Sequence, residues 1–146
     1  MRRVWTILPD MLYPTKTALV IRTDLAAWQV ANVAAFLSGG LTHHFPEMAG
    51  EPYRDADATV YTPLVREPVF VYGADAETMR RTYERARNRN LTFAIYTEPL
   101  FKTSNDRDNR ASVAACKQSD LNLVGLGFHA ERRIVDKVIN GLKFLA

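Results

Sequence analysis

The sequence predicts a three-layer α/β/α sandwich on a small, mostly parallel sheet, and three observations carry that expectation. Apolar runs of strand length alternate with segments of helical periodicity. The run Ala18, Leu19, Val20, Ile21 is continuous rather than alternating, the pattern of a strand covered on both faces. Capping residues such as Thr23, Asp24 and Asp75 stand where strand-like runs give way to helical ones.

Taken in order, residues 1–15 hold Trp5, Ile7, Leu8, Met11, Leu12 and Tyr13, an arm too apolar for a free tail and expected to pack on the domain or on a second subunit. The first strand covers 17–22 and is expected to be interior. The helix after it starts at Thr23 or Asp24 and ends at Gly39 and Gly40, with Val30, Val33, Ala34, Leu37 and Leu41 on its buried stripe and the uncharged Gln29 and Asn32 on another. Pro46, Pro52, Pro63 and Pro68 punctuate a long irregular connection, 41–68, in which Tyr53 and residues 60–62 flank the turn Asp55 to Ala58 as a small hairpin. A second strand, 69–72, leads to a helix capped by Asp75, with Ala76, Met79, Tyr83 and Ala86 inward and the pairs Glu77–Arg81 and Arg80–Glu84 outward. The third strand is 91–96. Thr103, Ser104 and Asn105 then open a helix running to about Gln118, with Val113, Ala114 and Cys116 on its apolar side. The fourth strand, 122–128, precedes a last helix carrying Ile134, Val135, Val138, Ile139 and Leu142 inward.

Composition bounds the function classes. At 146 residues, 47% hydrophobic and 24% charged, the chain is balanced for a single globular domain, 1–146. Its net charge of +3 comes from 19 basic against 16 acidic residues, so nucleic acid is not the favoured partner. The lone Cys116 excludes a disulfide framework and favours a reducing, cytoplasmic setting, and no run approaches the length of a membrane span.

Several motifs reduce to structure. Gly125, Gly127 and Ala130 fit a dinucleotide fingerprint, but the acidic residue and second nucleotide-binding half are missing, so the glycines are read as close strand–helix packing. His43 and His44, with His129 or Glu47, lack metal-ligand spacing, and Asp55 with Asp57 lacks the rest of a calcium loop. Neither a metal nor a cofactor is expected. Arg80, Arg81, Arg85, Arg87 and Arg89 are read as a solvated helix face rather than an anion strip.

In a sheet of this kind ligands bind beyond the carboxyl ends of the strands. The loops there are expected to be 22–28, 73–75, 97–105 and 128–130. The candidate site gathers Arg22, Asp24, Trp28, Asn32, Phe101, Lys102, Thr103 and Asn105 around Glu98, a carboxylate placed to act as a general base or orienting group.

Three blocks, KTALVIRTDL with VAAFLSGG at 16–40, VFVYGADAETMRRTYERARNRNLTFAIYTE at 69–98 and LVGLGFHAERRIVDKVINGLKFL at 123–145, carry a resemblance. The chain resembles the type 2 peptidyl-tRNA hydrolases and, more closely, the domain of unknown function 2000 family. The resemblance implies a mixed four-stranded sheet with helices on both faces, often a homodimer, and hydrolase-like chemistry with Glu98 in the place of the family's strand-end aspartate and Asp24 kept from its R-x-D-L motif. Ala26, Ala27, Trp28 and Gln29 occupy the turn where the hydrolases carry lysines. The expectation is therefore a site for a small-molecule or peptide-like ligand, with hydrolysis as its reaction if there is one. The alternatives are an active peptidyl-tRNA hydrolase and a non-catalytic homodimeric interaction protein.

Overall fold

A computed structural model describes residues 13–146, so the expectation for the arm falls mostly outside the described residues. Strand β1 (Thr15–Arg22) is followed by helix α1 (Ala27–His44), a 3₁₀ turn (Pro46–Met48) and the short strands β2 (Tyr53–Arg54) and β3 (Val60–Tyr61). Then come β4 (Val69–Ala74), α2 (Ala76–Asn88), β5 (Ala94–Thr97), a 3₁₀ turn (Glu98–Lys102) and α3 (Asp106–Ala114). A 3₁₀ turn (Gln118–Asp120), β6 (Leu123–Glu131), α4 (Arg132–Val138) and β7 (Lys143–Phe144) complete the chain.

The main sheet has the order β5-β6-β1-β4-β7, and β2 with β3 forms a separate ribbon. β1 is interior, as its unbroken apolar run requires. Ala18 and Val20 point to one core with Met79, Tyr83, Phe128 and Val135 beneath α2 and α4, whereas Leu19 and Ile21 point to a second core with Val33, Leu37, Leu41 and Val124 beneath α1. Two cores on two sheet faces make the three layers.

The sheet corrects the expectation twice. It has five strands rather than four, because Lys143–Phe144 pairs with Tyr72 and Gly73. It is mixed, as the resemblance implies, but mostly antiparallel rather than mostly parallel: only β1 and β4 pair in parallel, while β6 runs against both β1 and β5. The cause is α3. Val113, Ala114 and Cys116 are expected on its apolar side, but it buries no residue and Cys116 is exposed. The chain therefore re-enters the sheet from the edge where β5 left it, and β6 must run antiparallel. Residues 128–130 then lie within β6 toward the opposite edge, with His129 beside Thr17, and form no carboxyl-edge loop.

Helix α1 differs at both ends. Asp24 does not cap it; Ala26 is the N-cap residue, and the Gln29 side chain accepts the Ala26 N–H at 2.8 Å. Gly39 and Gly40 lie inside the helix, which stops at Phe45 before Pro46. Helix α2 follows expectation closely. Asp75 accepts the Thr78 N–H at 2.8 Å, and Met79, Tyr83 and Ala86 are buried, although Ala76 is exposed. Its arginines hold loops as well as facing solvent: Arg80 donates to the Leu121 carbonyl at 2.9 Å and Arg85 to that of Asn140 at 2.9 Å.

Candidate functional site

The carboxyl ends of β1, β4 and β5 share one edge of the sheet, and β6 starts there. Arg22, the last residue of β1, organises this edge. Its Nε and Nη2 donate to the two carboxylate oxygens of Asp24 at 2.9 Å each, while Nη1 donates to Asn122 Oδ1 at 2.9 Å and to the Leu123 carbonyl at 3.2 Å. One planar fork thus ties the turn after β1 to the start of β6. The hydrogen bonds from Arg22, and then its charge, hold the Asp24 carboxyl below the ordinary carboxylate range. Hydrogen bonding to Asp24, and then the charges of Asp24 and Glu98, hold the guanidinium above its ordinary value against the opposing effect of burial. Glu98 is half-buried, opens the 3₁₀ turn after β5 and is anchored by its own N–H on the Asn122 carbonyl at 2.9 Å.

An aromatic row runs from this edge along α1. Trp28 stands edge-on to Phe101 at 5.7 Å between centroids, Phe101 lies 5.1 Å from Tyr96, and Tyr96 lies 5.8 Å from Phe36. Asn32 Nδ2 donates to the Tyr96 hydroxyl at 3.0 Å. Burial pushes the Tyr96 phenol up, and the bond from Asn32 opposes that shift. Trp28 remains 62% exposed, which is high for an indole already packed on a second ring.

The remaining candidates organise the start of α3. Asn105 caps that helix by accepting the Asp108 N–H at 2.8 Å, the Thr103 hydroxyl donates to the Leu100 carbonyl at 3.1 Å and also meets the Asn109 side-chain amide, and Lys102 is exposed at the end of its turn. Between α1, β5 and α3 lies an open apolar groove of about 530 Å³, with Phe36, Tyr96, Leu100, Asn109, Arg110 and Val113 among its walls. Tyr96 and Leu100 join it to the aromatic row. The structure therefore brings Arg22, Asp24 and Glu98 into one electrostatic group, and Trp28, Asn32 and Phe101 into one aromatic and amide group. Thr103 and Asn105 are engaged in local structure.

Sequence reasoning missed a second polar cluster at the opposite edge. The Glu67 carboxylate is 6% exposed and accepts from the Thr15 hydroxyl at 3.0 Å and the Thr17 hydroxyl at 3.0 Å; Thr17 Oγ1 also lies 2.8 Å from His129 Nδ1. A hydroxyl has one proton. With that of Thr17 given to Glu67, His129 Nδ1 is the donor to Thr17. His129 Nε2 has no hydrogen-bond partner, and the carboxylate oxygen Glu47 Oε2 lies 3.7 Å away. Among the described residues, no three His, Cys, Asp or Glu side chains converge as metal ligands, and no helix is long and apolar enough to cross a membrane.

Comparison with known proteins agrees with this architecture. The solved structure of Atu0240, a protein of unknown function from Agrobacterium tumefaciens strain C58, is 38% identical and superposes with a TM-score of 0.89, covering 92% of this chain and 100% of its own. No curated protein matches. The family model for a protein of unknown function, DUF2000, matches residues 15–146. That match spans every strand and helix described above, and the chain belongs to the DUF2000 family.

Proposed function

We propose that this chain binds a small-molecule or peptide-like ligand at the carboxyl edge of the sheet. Trp28 and Phe101 form the apolar wall, and Arg22 and Glu98 the polar end. The observation that supports this reading best is the exposed indole of Trp28, packed edge-on to Phe101 at the end of an aromatic row whose Tyr96 and Phe36 line the apolar groove. Asp24 has both oxygens engaged by Arg22, so its role is to hold the guanidinium in place. That leaves Glu98 as the carboxylate able to take a proton from an attacking water if the bound ligand is hydrolysed.

Peptidyl-tRNA is the alternative substrate. Binding a charged tRNA rests on neutralising backbone phosphates, and Ala26, Ala27, Trp28 and Gln29 supply no cation in the turn after β1. The expected outcome at low salt is no useful release of peptide from peptidyl-tRNA. Robust cleavage lost in Glu98→Gln would replace the present reading with the hydrolase one.

The ligand reading is tested by thermal shift against aminoacyl, nucleotide and small acidic compounds, with Trp28 emission followed in a Trp5→Phe background. A binder raises the melting temperature by mass action and perturbs Trp28. Binding of the same compound with unchanged affinity by Trp28→Ala and Glu98→Gln would place the site elsewhere.

A further inference from the structure

We propose that the ligand is an extended peptide segment that adds to the main sheet as a further strand, along the free edge of β5. The inference rests on the ligand site proposed above and gives that ligand's class and mode of binding.

β5 is the outermost strand on its side of the sheet, and no main-chain group of Ala94–Thr97 is hydrogen-bonded outside the ladder with β6. In a ladder, alternate residues turn their N–H and C=O away from the partner strand, so this edge offers unpaired donors and acceptors. Edge strands are normally guarded by charge, by proline or by a covering element. From Leu91 to Thr97 there is neither a charged residue nor a proline. The opposite edge differs, because β7 has only two residues and one of them is Lys143.

The groove between α1, β5 and α3 follows this edge. Ala94 and Tyr96 pack toward the core beneath α1 and Ile95 toward the core beneath α2, yet all three line the groove. Successive side chains of a strand point to opposite faces, so a groove that reaches all three runs along the rim of the sheet rather than over one face. Ile95 also lines a second hollow of about 410 Å³ on the α2 side, with Tyr83, Arg87 and Phe93. The two hollows flank the place of an added strand, whose alternate side chains enter one and then the other.

The far wall of the groove is α3. Asp106, Asn109, Arg110 and Val113 bring one stripe of that helix to the groove, at spacings of three and four. The helix buries none of its own residues, so nothing else in the chain covers the stripe. A strand seated between α3 and β5 covers it and pairs the open edge at once.

Charge and hydrogen bonding select a peptide over an anion. Asp106 and Arg110 are paired with each other, and Arg87 donates to Gln118 Oε1 at 2.6 Å, so the charged walls of both hollows are already engaged. What stays open is a row of main-chain donors and acceptors, which the uncharged main chain of an extended peptide matches. At about 3.3 Å per residue, a segment of about six residues runs the length of the edge from Leu91 to Tyr96.

The test presents the whole chain with capped hexapeptides that carry Val, Leu, Ile or Phe at alternate positions and Thr or Lys between them, followed by heteronuclear NMR and amide hydrogen exchange. The expected result is binding with a Kd on the order of 100 µM and slowed exchange at alternate amides between Thr92 and Tyr96. The same peptides methylated at every main-chain nitrogen should bind at least about tenfold more weakly, having lost their donors. Val113→Glu sets an unpaired charge against the added strand and should also weaken binding about tenfold, while far-UV circular dichroism stays that of the wild type. If that variant does not fold, the exchange pattern and the methylated peptides decide alone. Absence of binding by every hexapeptide at about 1 mM overturns the proposal, as does binding that leaves those amides unprotected or that methylation does not weaken. If the small compounds named above still shift the melting temperature and Trp28 emission, the site stands and only its peptide ligand falls. If neither class binds, the site reading falls with it.

Discussion

Replacing Gly125 by alanine tests how closely α1 rests on the sheet. A Cβ at that position of β6 would stand 2.4 Å from Val33 Cγ1 and 3.1 Å from Leu37 Cδ1. Both neighbours are buried, at 0% and 2% exposure, and valine in a helix has essentially one χ1 rotamer, so Val33 cannot swing aside. The helix must lift by about an ångström, and overpacking of this kind typically costs about 1–3 kcal/mol. The tightness of the contact puts Gly125→Ala at the upper end, about 3 kcal/mol. With an unfolding entropy of about 2.1 cal/mol/K per residue, that corresponds to a fall in Tm of about 10 °C. Gly127→Ala should cost only about 1 kcal/mol, because its nearest contact is the movable end of Leu41 at 3.0 Å. Urea unfolding of both variants, of Val33→Ala and of Gly125→Ala/Val33→Ala closes a double-mutant cycle. Removing Cγ1 makes room for the new methyl group, so the double variant should lose about 2 kcal/mol less than the two single losses added together. Full additivity, or a Gly125→Ala protein within about 0.5 kcal/mol of the wild type, would refute the reasoning.

Thr17→Val keeps the shape but strips the shared hydroxyl from Glu67 and His129, and should cost about 3 kcal/mol in chemical denaturation, since two buried polar groups each lose a partner. Asp24 is held ionised below its ordinary range, so the stability it contributes is present above about pH 4 and is lost as pH falls through the lowered folded value. Being 64% exposed, that carboxylate contributes under about 1 kcal/mol, and the urea midpoints of Asp24→Asn and wild type should converge in acid. In an ultraviolet titration, one of the six tyrosines should ionise above the ordinary value of about 10. That phase should vanish in Tyr96→Phe and move further up in Asn32→Ala, which removes the bond that favours the phenolate.

What was legible in the sequence was local. The unbroken run Ala18 to Ile21 gave β1 its interior place, and Asp75 with the spacing of Met79, Tyr83 and Ala86 gave α2, because caps and periodicity act over one or two turns. Periodicity also showed that α3 has an apolar side, but not what lies against it. That side borders an open groove, and the direction of β6 followed from that. Strand β7 is too short to carry a pattern; Phe144 is held by stacking on Tyr72 at 4.9 Å. At the site, strand ends placed Arg22, Asp24 and Glu98 on one edge, whereas Asn122, which shares the guanidinium, had no motif to mark it. The cluster of Glu67, Thr17 and His129 joins residues 50 and 112 positions apart, and solitary polar residues at such distances leave no period to read.

The placement of β6 between β1 and β5 also governs how the chain comes off the ribosome. Thr17 and His129, neighbours across the central strand pair, are separated by 112 positions, so the ladder at the middle of the sheet becomes available late in synthesis, before only the short pairing of β7 with β4. Until residues 123–131 emerge, β1 has only β4 beside it, and its other edge stands open with Leu19 and Ile21 uncovered by β6. Such a chain folds late and slowly, since so large a loop must close before its contacts repay the cost. A nascent chain stalled before β6 presents an apolar strand edge to chaperones or to other nascent chains.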